Sequence, residues 1–446
     1  MEKISIVVAG HTNTGKTTLI RTLMKSSVGE VGDRANVTQK GHSYHYEGLQ
    51  ANFVDTPGFR YASVYNMYLE ARRENINFQM PNGWQEKIEL DLEAIKAIEA
   101  CNIVLYVGSL AVVPDESHFE EIRLVKKLQP QIVGILNQKH IGEDVNKVVS
   151  RVKLWEEAFF ENGIDNWVDF DAHWDKYSKA NLIYDQVAEV ITRKEQQIFN
   201  NGLAKFKKRQ SEIREEACRL MSICVTQLQN IRHEYISSNY SESEEEEQIK
   251  ASLHECVVGF IDEVNGLYKT ASMYPTDSIE SLKIKHDSKR NWGSRVGSGA
   301  SYAAVLGGGS AAVGAAIGAL VSGVFTVGLA AAPGAILGAQ IGGTIGSSLG
   351  VFATLNSSND KIIATLDEDK IKSVAQECTA VIWGLSMSGY GRSQELNMPE
   401  IDQIENDVKE LYETSKLFNV EWKTVNEELV FNETFAILEK LEERVI

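Results

Sequence analysis

The chain has 446 residues, which is long enough for two or three domains and a sizeable hydrophobic core. Its formal net charge of −17 argues against general affinity for nucleic acid, because phosphate backbones bind clustered lysine and arginine. The five cysteines show no C-x-x-C spacing, so we expect buried free thiols in a reducing compartment, with a zinc site as the less favoured alternative. The N-terminal apolar run is too short for a secretory signal, which predicts a cytoplasmic protein.

The first motif lies at Gly10–Thr17, which fits G-x-x-x-x-G-K-[ST] between an apolar run and an amphipathic helical pattern. A strand that turns into a helix leaves backbone N–H groups unpaired at the helix N-terminus, and these groups attract phosphate. We expect Lys16 to contact the β- and γ-phosphates and the Thr17 hydroxyl to bind Mg²⁺. The predicted nucleotide-contacting residues of this loop are Gly10, His11, Thr12, Asn13, Thr14, Gly15, Lys16, Thr17 and Thr18.

Two further segments fit a magnesium–nucleotide site. Residues 40–46 and 49–54 have the spacing of an antiparallel hairpin, and the second ends in Asp55–Gly58, which matches D-x-x-G. An aspartate at the carboxyl end of a strand beside a phosphate loop is placed to hold Mg²⁺, while the Gly58 amide can contact a γ-phosphate. Thr38 lies where nucleotide switches place a threonine that completes the Mg²⁺ shell, and a neutral surface threonine is the alternative. The predicted metal ligands are Thr17, Thr38 and Asp55, and the predicted catalytic residues are Lys16, Thr38 and Gly58.

The next part of the chain alternates helical and strand-like patterns. Residues 60–89 form a connection that is long for a compact domain, which predicts a lid or a docking surface. The predicted helices are 90–100, 115–128, 143–160 and 179–194, and the predicted strands are 102–107, 131–136 and 167–170. This alternation predicts an α/β P-loop NTPase domain at 1–195, with a mostly parallel sheet and helices on both faces.

These motifs resemble those of translation-factor-type GTPases of the group that includes TrmE, Era and the septins. The resemblance rests on Gly10–Thr17, on Asp33-Arg34 followed by Thr38, on Asp55–Gly58, and on Leu136-Asn137 at a strand end. More narrowly, the chain resembles a bacterial family in which such a domain precedes a glycine-rich C-terminal domain of unknown function. The resemblance implies a Mg²⁺-dependent GTPase that binds guanine nucleotide.

The guanine-reading motif departs from this pattern, because Asn-Lys-x-Asp stands here as Asn137–His140, with the sequence Asn-Gln-Lys-His. The aspartate that accepts two hydrogen bonds from guanine is missing, which weakens discrimination against other bases. A P-loop ATPase is therefore an alternative. We expect Asn137 to contact the base, and a base contact from Asp171, where a Ser-Ala-Lys-type loop would fall, is a second hypothesis.

The residue after D-x-x-G also departs from the pattern. Related GTPases often have a glutamine there to orient the attacking water, whereas this chain has Phe59. The resemblance implies that members with an apolar residue hydrolyse GTP by pairing G domains or with a monovalent cation, and Asn13 resembles the residue that helps to hold K⁺. We therefore expect slow hydrolysis that increases with potassium or protein concentration. A loop-stabilising hydrogen bond is the alternative role of Asn13.

The rest of the chain is predicted to be helical. Residues 196–295 carry an apolar stripe typical of helix packing, and the acidic run near 241–248 predicts an exposed turn or linker. Residues 296–359 contain no charged residue, and glycine or serine recurs at every fourth position over 310–322 and again over 334–350, which predicts a glycine-zipper helical hairpin. Insertion into a membrane and burial in a soluble helical domain are equal alternatives for this hairpin. Residues 360–446 return to amphipathic helices.

Together these patterns predict a GTP-binding and hydrolysing switch protein that couples its nucleotide state to a helical effector region. The expected partners are guanine nucleotide, a second copy through the G domains, membrane lipid and an effector protein, and no nucleic acid. The expected location is the cytoplasm or the inner membrane. The alternatives are a P-loop ATPase with the same switch logic and a nucleotide-binding structural or pore-forming protein with negligible turnover.

Overall fold

A computed structural model describes residues 3–26, 42–46, 51–74, 89–139, 145–175, 177–236, 242–273, 353–358, 361–387 and 398–444. The described residues divide into two compact units, the first ending at Lys208 and the second beginning at Arg209. Thr38, the Asp33-Arg34 pair and most of the predicted glycine-rich hairpin lie outside the described residues. No helix in the described ranges combines the length and the apolar character that a membrane span requires.

The described part of the first unit is built around a six-stranded sheet in the order β2-β3-β1-β4-β5-β6. Its strands are β1 Ile4–Ala9, β2 His42–Tyr46, β3 Ala51–Asp55, β4 Ile103–Ser109, β5 Ile132–Asn137 and β6 Trp167–Asp169. Every neighbouring pair is parallel except β2 and β3, which form the predicted antiparallel hairpin. The predicted P-loop NTPase fold, with a mostly parallel sheet, is confirmed for this unit.

Helices cover both faces of this sheet. They are α1 Lys16–Met24, α2 Ala62–Arg73, α3 Glu89–Ala100, α4 Glu116–Leu128, α5 Val145–Glu161, α6 Ala180–Val190 and the part of α7 (Arg193–Gln229) that precedes Arg209. Every residue of β4 and β5 is buried, as expected for parallel strands that are covered on both sides. Along β1, Ile6 and Val8 enter the core under α1 and α6, while Val7 and Ala9 enter the core under α2 to α5.

The second unit contains a sheet that the sequence analysis did not predict. Its described strands are β7 Arg232–Ile236, β8 Ala353–Ser358 and β9 Lys361–Leu366, paired antiparallel in the order β7-β9-β8. The all-helical expectation for these regions was wrong at three places, and β8 lies in the last residues of the predicted hairpin. The strands are short, and β9 is rich in β-branched residues, which favour a pleated surface.

Helices make up the rest of the described second unit. They are the part of α7 after Lys208, α8 Glu242–Met273, α9 Glu368–Met387, α10 Met398–Thr414 and α11 Glu427–Arg444. The acidic run Glu244–Glu247 was predicted to be a turn or linker, but it lies inside the first turns of α8. Glutamate is a good helix former, and negative charge near a helix N-terminus is stabilised by the helix dipole, so mutual repulsion did not break the helix.

Candidate nucleotide-binding site

The phosphate loop joins the end of β1 to the start of α1 through backbone angles that only special residues adopt. Gly10 has φ +139°, Gly15 has φ +86°, and Asn13 lies between them with φ +64°. A Cβ on Gly10 would stand 2.4 Å from the carbonyl oxygen of Val107, so glycine is required there by space as well as by angle. Asparagine is among the few side chains that tolerate the left-handed region.

Lys16 is held inside the loop that it belongs to. Its Nζ donates hydrogen bonds to the carbonyl oxygens of Gly10 at 3.1 Å and His11 at 2.7 Å. Burial lowers the pKa of Lys16, while the charges of Asp55 and Glu121 act to raise it. The ammonium is therefore close to carboxylates and ready to exchange two carbonyl partners for phosphate oxygens.

Two of the predicted magnesium ligands lie in contact. The Thr17 hydroxyl donates to Asp55 Oδ2 at 2.5 Å, which joins the first turn of α1 to the end of β3. Hydroxyl and carboxylate oxygens are ligands that Mg²⁺ accepts, and in nucleotide sites phosphates and water supply most of the others. Within the described residues no group of three or more His, Cys, Asp or Glu could form a separate metal cage. The donor set therefore fits Mg²⁺ brought in with a nucleotide.

The D-x-x-G segment packs directly on the phosphate loop. A Cβ on Gly58 would stand 2.5 Å from the backbone nitrogen of Thr12, and Phe59 forms an isolated parallel bridge with His11. Phe59 is fully buried in the core under α2 to α5. A ring in that position anchors the segment in the core and offers no polar atom to a water molecule.

The strand end predicted to read the base is tied to the phosphate loop. Asn137 Nδ2 donates to the Thr14 carbonyl at 2.8 Å, and Asn137 Oδ1 accepts from the Ala172 amide at 2.8 Å. Gln138, at φ +63°, donates through Nε2 to the Asn13 carbonyl at 2.8 Å. Asn137 thus connects the phosphate loop to the loop that follows β6.

Comparison with known proteins agrees with this geometry. Residues 5–138 match the family model described as 50S ribosome-binding GTPase. GTPase Era of Ureaplasma urealyticum serovar 10 is 24% identical over 152 residues, which is 33% of this chain and 43% of that protein. GTPase Era of Campylobacter jejuni subsp. doylei is 24% identical over 193 residues, covering 43% of this chain and 56% of the relative. The chain spans about half the length of these curated relatives.

Residues 5–138 of the first unit are thus similar to a P-loop GTPase domain. Among solved structures, Era in complex with MgGDPNP and a segment of 16S ribosomal RNA is similar with a TM-score of 0.32 and 16% identity, over 43% of this chain and 58% of that chain. A variant of Aquifex aeolicus Era bound to GDP and AlF4⁻ has a TM-score of 0.31 and 17% identity over the same shares.

In the first unit the Asp171 carboxylate accepts hydrogen bonds within its own turn. Asp171 Oδ1 accepts from the backbone amides of His173 at 3.0 Å and Trp174 at 3.1 Å, and the residue is 1% exposed. Asp169, at the end of β6, pairs instead with two lysines. Its oxygens lie 3.0 Å from Lys139 Nζ and 3.1 Å from Lys179 Nζ.

The sequence analysis missed two buried carboxylates of the first unit. Asp91 on α3 is fully buried and accepts from the amides of Arg60 and Tyr61, just after D-x-x-G. Glu121 on α4 is 2% exposed and pairs with His11. A signal was present for Glu121, because His118, Ile122 and Val125 share its helix face and are buried. Nothing in the local sequence distinguished Asp91.

Proposed function

We propose that the chain is a Mg²⁺-dependent switch protein that binds and hydrolyses GTP. The observation that carries this proposal is the contact between Thr17 and Asp55 beside a loop in which Lys16 is held by carbonyls. A hydroxyl, a carboxylate and an ammonium in this arrangement can hold a metal ion and the oxygens of two phosphates at once.

The roles in hydrolysis follow from these positions. Lys16 stabilises charge on the transferred phosphoryl group. The Gly58 amide contacts the γ-phosphate, because the Gly58 backbone packs closely on Thr12 of the phosphate loop. Thr17, Asp55 and Thr38 order Mg²⁺. Since Phe59 supplies no group to orient water, hydrolysis is slow and depends on K⁺ held at Asn13 or on pairing of two G domains.

On the base side, Asn137 contacts the base and also holds the phosphate loop in place through its hydrogen bond to the Thr14 carbonyl. Asp171 is the second candidate, and its carboxylate would have to leave the amides of its own turn to reach a base. The missing aspartate of the guanine motif, at His140, keeps an ATPase with the same switch logic as a second candidate function. The family match of residues 5–138 favours GTP.

The second unit is proposed as the effector region, with the glycine-rich run as its membrane-associating or core-forming part. Support for this is the composition of residues 296–359 alone. The same proposal includes location in the cytoplasm or at the inner membrane, an effector protein as partner, and no nucleic-acid partner. A nucleotide-binding structural protein with negligible turnover is the competing class, favoured by Phe59.

The nucleotide released on denaturing the purified full-length chain tests the substrate, and phosphate release in K⁺ against Na⁺ tests turnover. We expect released guanine nucleotide and turnover that increases with K⁺. In Lys16→Ala the loss of the ammonium should remove triphosphate binding. The matched control is Lys96→Ala, which removes an exposed lysine from α3. Unchanged triphosphate affinity in Lys16→Ala would contradict the proposed site, and released adenine nucleotide would favour the ATPase.

A further inference from the structure

A buried carboxylate lies directly behind the phosphate loop. Glu121 Oε1 is 2.6 Å from His11 Nδ1, and Glu121 Oε2 accepts from the Tyr106 hydroxyl at 3.1 Å. Tyr106 is fully buried and Glu121 is 2% exposed. Within the described residues, His11 is the side chain that can supply a positive charge in contact with this carboxylate. A carboxylate so deeply buried is costly unless its charge is compensated.

His11 connects this carboxylate to the groups that handle phosphate. Its side chain binds Glu121, while its carbonyl oxygen accepts from Lys16 Nζ at 2.7 Å and from the Thr14 hydroxyl at 3.1 Å. Its backbone also forms the bridge with Phe59 at the end of D-x-x-G. Fixing the imidazole therefore fixes the carbonyl that holds the ammonium and the segment that approaches the γ-phosphate.

We propose that the His11 imidazolium, paired with buried Glu121, is a positioning residue of the phosphate site and that triphosphate binding is coupled to its protonation. This inference rests on the proposed nucleotide binding and adds to it a charged group that no part of the phosphate-loop motif specifies. It assigns to His11 an effect through Lys16 and through the local charge, without direct chemistry on the nucleotide.

The charges around His11 determine the direction of the coupling. The hydrogen bond to Glu121 raises the pKa of His11, against burial and the charge of Lys16, which act to lower it; Asp115 acts to raise it. The His118 ring lies 5.0 Å away and is itself bonded to Asp115 at 2.7 Å. A neutral His11 would leave Glu121 as an uncompensated negative charge beside an anionic ligand.

The sign then follows from linkage. A triphosphate adds negative charge near Lys16, so it binds more tightly to the protonated form and raises the pKa of His11 further. Affinity should be highest below the pKa of free His11 and should fall as the pH rises through the pKa values of the free and bound forms. Between these values, binding should take up a proton from solution.

The test measures proton uptake directly. The full-length chain is titrated with Mg²⁺ and GDPNP by calorimetry, in two buffers of different ionisation enthalpy, at several values between about pH 6 and pH 9. For the wild-type chain we expect uptake of a proton in this range and a fall in affinity of about tenfold across it. This measurement needs no variant, so it decides the coupling even if a substitution impairs folding.

Variants separate charge from packing. His11→Gln keeps an amide that can bond Glu121 but removes the charge, so we expect affinity about tenfold weaker below the pKa of free His11 and no pH dependence from this group. The double variant with Glu121→Gln should recover affinity relative to His11→Gln alone, because the uncompensated carboxylate is gone. A packing role alone predicts no such recovery. His118→Gln, the neighbouring ring, is the matched control and should keep the proton uptake.

The outcomes are distinguishable. Binding without proton uptake, or uptake that persists in His11→Gln, overturns this inference and leaves the proposed function standing. A double variant that binds no better than His11→Gln also overturns it. A wild-type chain that binds no triphosphate at any pH overturns both.

Discussion

Replacing Glu377 by glutamine should stabilise the second unit at neutral pH. Glu377 lies on α9, and its Oε2 is shielded from solvent without a hydrogen-bond partner among the described residues. Burial raises its pKa to about 7 from the usual 4.5, although Ser373 at 3.2 Å and the charge of Lys370 act to lower it, and Glu405 adds to the rise. Ionising this group in the folded chain is therefore unfavourable.

The magnitude follows from the two pKa values. The difference between about 7 and 4.5 corresponds to about 3 kcal/mol at about 1.4 kcal/mol per pH unit. Because the folded value is the higher one, the stability that protonation supplies is complete below the unfolded pKa and is lost as the pH rises to the folded pKa. Glutamine avoids this loss but buries an amide nitrogen without an acceptor, which costs about 1 kcal/mol. The net gain should be about 2 kcal/mol above pH 7, with a small loss below pH 4.5.

Hydrogen exchange of α9 peptides in the full-length chain measures this, because it reports the opening free energy of one part of a multidomain protein. Peptides from β1 in the first unit serve as the internal reference. Glu413→Gln, an exposed change on α10, is the matched control and should have no pH-dependent effect. A difference between wild type and Glu377→Gln that stays constant from pH 4.5 to above 7 would refute the assignment of a buried, destabilising carboxylate.

Three further predictions concern the first unit. Gly58→Ala should weaken GDPNP binding at least tenfold and leave GDP affinity nearly unchanged. The new Cβ would lie 2.5 Å from the Thr12 backbone, so the segment must shift and move the Gly58 amide away from the γ-phosphate, which GDP lacks. Competition binding of both nucleotides checks this, and equal loss for both would contradict it. Thr17→Ala should abolish the Mg²⁺ dependence of triphosphate affinity, as tested by titration with and without EDTA; retained Mg²⁺ dependence would contradict the ligand assignment. Asp91→Ala should leave the backbone amides of Arg60 and Tyr61 without an acceptor, at a cost of about 1–3 kcal/mol. Hydrogen exchange at the start of α2 should therefore become faster, and unchanged exchange would contradict a role of Asp91 there.

Local sequence was sufficient to predict that Lys16 lies on a loop between a strand and a helix. The strand, glycine loop and helix around Lys16 are consecutive, so spacing and residue type specify them together. Asp55 and Gly58 were also predictable, because they follow a strand at the expected distance. The Thr17–Asp55 contact then brings the two motifs together. Thr38 stays a prediction because it lies outside the described residues.

Contacts between distant parts of the chain were less accessible. The pair His11–Glu121 joins residues 110 positions apart, and nothing near either residue indicates the other. The carboxylate of Asp171 looked available for a base, yet the turn formed by the next residues uses it. In the second unit, helical periodicity dominated the interpretation and concealed short strands, since five or six residues of β pattern add little signal beside long helices.

The order of strands in the second unit has a consequence for the glycine-rich run. The neighbouring strands β7 and β9 lie on either side of it in sequence, and α8 ends at Met273 before β8 begins at Ala353. The described elements that flank this run, which end at Met273 and begin again at Ala353, thus belong to the same unit. Since closure entropy depends only weakly on the number of residues between two anchored elements, a change in that number has little thermodynamic cost. Evolution could therefore vary this part of the chain almost independently of the sheet that carries it.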